Sequence, residues 1–181
     1  MKMQRIKKEN TAFLVIDIQE KLFPIIHEKE ALLRNTKILL ELCASFDIPV
    51  IATEQYAKGL GHTVEEIGSY IPKEEVYEKM TFSAFAQIEE VLKKKEIKTL
   101  IVAGIETHIC VYQTIRDLIN AGYEVIVPVD VVSSRTLQNK EVGLNLMKEM
   151  GALITSCETV VFDVLEESGG EVFKKMSKLV K

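Results

Sequence analysis

The sequence predicts a three-layer α/β/α sandwich around a doubly wound, mainly parallel sheet of six strands, and three observations lead there. Short apolar runs rich in β-branched residues recur along the chain, each of strand length. Between them lie amphipathic stretches whose apolar positions fall three and four apart. The two kinds of run alternate throughout, the pattern of a parallel sheet with right-handed helical crossovers.

Thr11 to Asp17 is the first strand, apolar and closed by a carboxylate. A helix is expected from Glu28 to Phe46, with Leu32, Leu33, Ile38, Leu39 and Leu42 on its apolar face. Ile48 to Thr53 reads as the second strand, with Pro49 near its start, where a missing N–H is tolerated. Glu54 to Lys73 is a long connection holding Gly59, Gly61, Gly68 and Pro72. Connections of that length serve function or carry small helices of their own. Glu75 to Lys79 is a short third strand, and Ser83 to Lys95 a helix with Ser83 as its cap. Lys98 to Ala103, closed by Gly104, is the fourth strand; its helix runs from Val111 to Ala121 and stops at Gly122. Tyr123 to Asp130 is the fifth strand, Thr136 to Met150 its helix, and Ala152 to Val161 the sixth strand. Asp163 to Lys181 reads as a helical tail interrupted at Gly169-Gly170. No repeat or linker divides the chain, so residues 1–181 are expected to form one domain.

Composition narrows the function. With 47% apolar residues and no Gly, Ser or Pro tract, the chain is expected to fold rather than stay disordered. A net charge of −4 with mixed signs leaves no basic footprint for nucleic acid. No apolar stretch approaches the ~18 residues of a membrane span. Met1 to Arg5 runs into Lys7-Lys8-Glu9 rather than an apolar signal core, which argues against secretion. Cys43, Cys110 and Cys157 cannot all pair and lack metal-ligand spacing, so they read as reduced thiols of a cytoplasmic protein. Cys43, among Leu39, Leu40, Leu42 and Phe46, is expected to be buried; Cys157, near the polar end of its strand, is open to either reading.

Three reactive residues fall at strand ends. Asp17 closes the first strand, Lys79 the third, and Cys110 follows the fourth at the start of a helix. In a parallel sheet those ends share one edge, where open α/β folds hold their ligands. Cys110 suits a nucleophile, Asp17 a group that takes its proton and returns it to a leaving group, and Lys79 a cation that favours the thiolate. A helix terminus and a neighbouring cation are expected to lower the thiol below its ordinary value of ~8.5. Each residue alone has an ordinary alternative: a capping aspartate, a solvated lysine, a buried thiol. Their joint placement favours the catalytic reading.

The runs Phe13-Leu14-Val15-Ile16-Asp17-Ile18-Gln19, Glu78-Lys79-Met80-Thr81-Phe82-Ser83-Ala84-Phe85 and Gly104-Ile105-Glu106-Thr107-His108-Ile109-Cys110-Val111 resemble the isochorismatase-like cysteine hydrolases, which include nicotinamidases and carbamoylsarcosine amidohydrolase. Val129-Asp130 and Ser133-Ser134-Arg135 resemble the family's segment after its fifth strand, and the likeness extends from about residue 11 to 161. The resemblance implies an Asp17–Lys79–Cys110 triad and a non-proline cis peptide between Ile105 and Glu106. It also implies an oxyanion hole formed by backbone at Ile105, Glu106 and Cys110. The family scheme is thiolate attack on an amide carbonyl, loss of ammonia and hydrolysis of the thioester, with no cofactor and a homo-oligomeric protein.

Two departures shape the expectation. Nicotinamidases carry Asp-x-His after the second strand, whereas this chain reads Thr53-Glu54-Gln55-Tyr56-Ala57-Lys58-Gly59-Leu60-Gly61-His62, so no metal is expected there, Glu54 and His62 being a weak pair of candidates. The Glu-Gln-Tyr-x-Lys-Gly-Leu-Gly stretch instead resembles a subgroup of isochorismatase-domain proteins whose substrates are poorly defined. True isochorismatases cleave a vinyl ether and lack the cysteine; Cys110 argues for acyl chemistry on a small molecule.

Phe82 and Tyr112, and after them Phe23 and Tyr56, are candidate pocket residues, with core packing as their alternative. Gln19 is a candidate contact for Asp17 or substrate, and His108 a supporting residue at best. Cys110 and Arg116 satisfy Cys-x5-Arg, the cysteine-phosphatase pattern, but Val111, Tyr112, Gln113, Thr114 and Ile115 are too bulky for a phosphate loop and suit a helix. Nucleotide binding has only fold analogy behind it, since neither G-x-G-x-x-G nor a Walker loop occurs. A non-catalytic oligomer with an inert Cys110 is the remaining alternative.

Overall fold

The computed structural model describes residues 5–181; the reading of the amino terminus at Met1 to Gln4 lies outside these residues. The first strand, β1 (Thr11–Ile16), is buried along its whole length. It pairs in parallel with β2 (Val50–Gln55) on one side, Ile16 beside Thr53, and with β4 (Thr99–Ile105) on the other, Ile16 beside Gly104. β3 (Val76–Lys79) adds outside β2, with Gln55 beside Lys79. β5 (Glu124–Pro128) and β7 (Leu153–Thr155) extend the other side, giving the order β3-β2-β1-β4-β5-β7. β6 (Val132–Ser133) pairs in parallel with the end of β4 and raises the strand count to seven. The chain thus builds outward from β1, then crosses back to its other side, and the reversal falls between β1 and β4. Ligands of open parallel sheets gather outside the carboxyl ends at such a point.

Alternation along the strands makes two cores. Phe13, Val15, Ile101 and Ala103 face α1 (Lys29–Phe46), α7 (Cys157–Leu165) and α8 (Gly170–Leu179). Leu14, Ile16, Leu100 and Val102 face α4 (Phe85–Lys94), α5 (Tyr112–Asn120) and α6 (Leu137–Glu149). Short helices α2 (Ala57–Leu60) and α3 (Glu65–Gly68) fill the long connection after β2, as its length suggested. Gly104 has φ +155°, and a Cβ there would come within 2.6 Å of the Ile16 carbonyl oxygen, so β1 and β4 approach as closely as they do because this residue is glycine.

Several expectations are corrected. The sixth strand expected at Ala152 to Val161 ends at Thr155, and Ser156 caps α7 by accepting the Thr159 N–H at 3.2 Å. Val160, Val161 and Val164 then lie at helical spacing and are buried, which outweighs their strand preference. Ser83 is not the N-cap of α4, which is Ala84: the helix starts at Phe85, whose N–H donates to Ser83 Oγ at a long 3.4 Å, and the Ala84 N–H donates to Thr114 Oγ1 at 3.0 Å. The helical tail is interrupted at Gly169-Gly170 as expected, with α7 ending at Leu165 and α8 starting at Gly170.

Candidate active site

Asp17 follows β1 directly, with φ 53° turning the chain across the sheet edge. Its N–H donates to the Thr53 carbonyl at 3.1 Å, and its own carbonyl accepts the Gln19 N–H at 2.8 Å. The carboxylate is shut off from solvent. Thr53 Oγ1 donates to Oδ1 at 2.8 Å and Lys79 Nζ to Oδ2 at 2.6 Å. Lys79 is the last residue of β3, held there by the Tyr56 N–H on its carbonyl at 2.9 Å. Besides Asp17, its ammonium has Gln55 Oε1 at 2.8 Å, the Phe82 carbonyl at 3.0 Å and the Thr81 carbonyl at 3.2 Å. Four oxygens around three protons leave this cation saturated, as a buried ammonium must be.

Cys110 sits in a π-type turn, Thr107–Val111, that joins β4 to α5. The Ile105–Glu106 peptide before it is cis. The Glu106 carbonyl accepts N–H groups on both sides of the cysteine, from Ile109 at 3.0 Å and Val111 at 3.3 Å. Thr114 Oγ1 donates to the Cys110 carbonyl at 2.7 Å, and its bond from Ala84 ties this turn to the segment that follows Lys79.

The thiol is buried, and Asp17 and Lys79 are the charges that act on it. Burial first, then the Asp17 charge, pushes it up to about 12, against the opposing pull of Lys79 and the Glu106 backbone. This corrects the expected lowering: the cation and the helix start are present, but desolvation and a carboxylate outweigh them. Burial likewise raises the Asp17 carboxyl, opposed by Lys79, Thr53 and Cys110. Burial thus favours the neutral form of the thiol.

The remaining candidates divide. Gln19 is buried and spends its carboxamide on backbone: Oε1 accepts the Gln55 N–H at 2.8 Å, and Nε2 donates to the carbonyls of Gly61 at 2.6 Å and Gln55 at 3.1 Å. Phe23 packs half-buried on the α1-side core and Tyr112 on the opposite core. Phe82 and Tyr56 are exposed, at 54% and 44%. Arg116 bonds Asp117 at 2.9 Å and lies over the Tyr112 ring, on a helix rather than in a phosphate loop. His108 Nδ1 is 3.0 Å from Ser134 Oγ, while Arg135 Nε lies 3.0 Å from Glu106 Oε1. Glu54 and His62 do meet, at 2.9 Å, but the other Glu54 oxygen takes the Thr63 N–H and hydroxyl at 2.7 and 2.9 Å. Among the described residues, no group of three or more His, Cys, Asp or Glu is placed to hold a metal ion. Cys43 is buried as expected, and Cys157 is buried at the start of α7.

Thr53, Gln55 and Thr114 were not singled out from the sequence. The first two carry a usable signal: they stand two apart at the polar end of the second strand, so they share a face and reach the edge that Asp17 and Lys79 occupy.

The isochorismatase domain model matches residues 11–159. The secreted isochorismatase effector Isc1 of Phytophthora sojae is 33% identical over 99% of this chain and 89% of its own length. The MAR1 ribonuclease of Caenorhabditis elegans is 34% identical, with a TM-score of 0.90 over 98% of this chain and 92% of that one. The YcaC gene product of Escherichia coli, described as an octameric hydrolase of unknown specificity, shares the fold at 22% identity, with a TM-score of 0.91 over 99% of this chain and 90% of that one.

Proposed function

The chain belongs to the isochorismatase family, and on that premise we propose that it is a cysteine hydrolase of small amides or related acyl compounds. One observation carries the reading: a single buried carboxylate, Asp17, binds the Lys79 ammonium at 2.6 Å at the sheet edge where the buried Cys110 thiol lies within reach of both charges. Asp17 accepts the thiol proton as the sulfur attacks the acyl carbon. The carbonyl electrons move to oxygen, where backbone N–H groups at Ile105–Glu106 and Cys110 receive the negative charge. The C–N bond then breaks, the amine leaves with the proton from Asp17, and a thioester remains on Cys110. Water, losing a proton to Asp17, attacks the thioester; the carboxylic acid departs and the proton returns to sulfur. The Lys79 ammonium offsets the charge that accumulates on Asp17 and sulfur. These residues need no cofactor for that cycle.

The test is ammonia release from a panel of primary amides. Wild type should turn over at least one, and Cys110→Ala should lose at least about 10³-fold of that rate. Hydrolysis that survives in Cys110→Ala would sink the assignment, and no turnover of any amide, with Cys110 no more reactive than a free thiol, would favour a non-catalytic oligomer.

The ribonuclease relative makes RNA a necessary member of the panel. The net charge of −4 and the carboxylates Glu20, Glu54 and Glu78 near the site edge oppose a polyanion, so RNA is expected to stay intact. We place the enzyme in a reducing, cytoplasmic setting on its three unpaired thiols. None of the described helices is long and apolar enough to cross a membrane. Residues 1–181 act as one catalytic domain, and exposed Leu137, Val142 and Leu146 on α6 favour a homo-oligomer, which sedimentation would measure.

A further inference from the structure

We infer that Gln55 is a positioning residue of this site, holding the Lys79 ammonium against Asp17 without adding charge; the inference rests on the hydrolase reading above. Gln55 ends β2 in register with Lys79, which puts both side chains on the same face of the sheet. Its carboxamide has one satisfactory orientation. Oε1 accepts from Lys79 Nζ at 2.8 Å and Nε2 donates to the Met80 carbonyl at 2.8 Å; the flipped amide would set an N–H against the ammonium. Its backbone is pinned in turn, because Gln19 accepts the Gln55 N–H and donates to the Gln55 carbonyl. Gln19 therefore steadies Gln55, Gln55 steadies Lys79, and Lys79 faces Asp17.

Neutrality is the point of a glutamine here. Of the two side chains on the ammonium, Asp17 moves the proton and Gln55 only holds the cation. A carboxylate in place of Gln55 would draw the ammonium off Asp17 and add negative charge to a site whose sulfur must itself become negative. The charged groups facing the thiol are Asp17 and Lys79. Glu54 and Glu78 alternate to the opposite face, where Glu54 binds Thr63 and His62 and Glu78 accepts the Ala57 N–H at 3.0 Å.

The test is the rate of Cys110 alkylation by iodoacetamide, located by mass spectrometry and measured across pH on the full chain, with the thermal midpoint recorded beside it. It needs no known substrate. In Gln55→Glu, Cys110 should react about 10-fold more slowly than wild type at each pH below its titration, the reading of a thiol raised by about one unit. Gln55→Met, neutral but without the acceptor, should be slowed about 3-fold, and it carries the test if Gln55→Glu does not fold. A lower thermal midpoint with a wild-type alkylation profile would assign Gln55 a structural role and overturn the inference. If Cys110→Ala retains hydrolysis, the hydrolase reading fails separately, while the alkylation comparison still reads the field at the thiol.

Discussion

Lys79 and Asp17 hold opposite charges with both side chains at 0% exposure. A buried pair of this kind contributes little net stability, yet removing one partner strands the other. Lys79→Met should therefore cost about 3–5 kcal/mol of unfolding free energy, read from urea denaturation, while Asp17→Asn combined with Lys79→Met should recover much of it. Equal losses in the single and double variants would contradict the pairing. Asp17, Lys79 and Cys110 were legible in the sequence because each closes an apolar strand or follows one, and strand ends converge by topology. Thr53 and Gln55 were missed: their two-residue spacing marks a shared face, but the register of β2 against its neighbours is what sets that face against Asp17 and Lys79. The direction of the thiol's shift was missed for a related reason. Sequence showed the cation and the helix start but not the depth of burial that outweighs them.

Among the elements, α6 presses hardest on the site. Gly143 faces the turn that carries Cys110, and a Cβ there would lie 2.8 Å from the Thr107 carbonyl carbon and oxygen and 2.9 Å from the His108 nitrogen. All three are backbone atoms, which cannot rotate away. Gly143→Ala should thus destabilise by about 1–3 kcal/mol through overpacking, and its turnover should fall further than its stability because the displaced turn bears the nucleophile. Retention of wild-type turnover in the folded variant would show that the turn accommodates the methyl group. The elements themselves were largely legible from periodicity. The error at β7 and α7 arose where a valine-rich run suits either state, and Ser156, which caps α7 in the structure, starts the helix there.

For the molecule as a whole, the three thiols share one behaviour although they lie in α1, the π-type turn and α7. Burial raises each above the ordinary thiol value, Cys110 and Cys157 to about 12 and Cys43 in the same direction. Above pH 9 the unfolded chain sheds these protons while the folded chain keeps them. The stabilisation is therefore complete below about pH 9 and is lost as the pH rises toward 12, by up to about 1.4 kcal/mol per pH unit for each thiol. Urea midpoints should fall above pH 9, and Cys43→Ala with Cys157→Ala should cut that slope to about a third; an unchanged slope would place its origin elsewhere. The strand order also bears on how the protein is made. A growing chain that has completed β1, β2 and β3 already carries Lys79 and both side chains that hold its ammonium, Asp17 and Gln55, and the Thr81 and Phe82 carbonyls follow at once. The sulfur emerges only with the return crossing beyond β4. During translation the side chains that hold the ammonium are therefore made before the sulfur they serve.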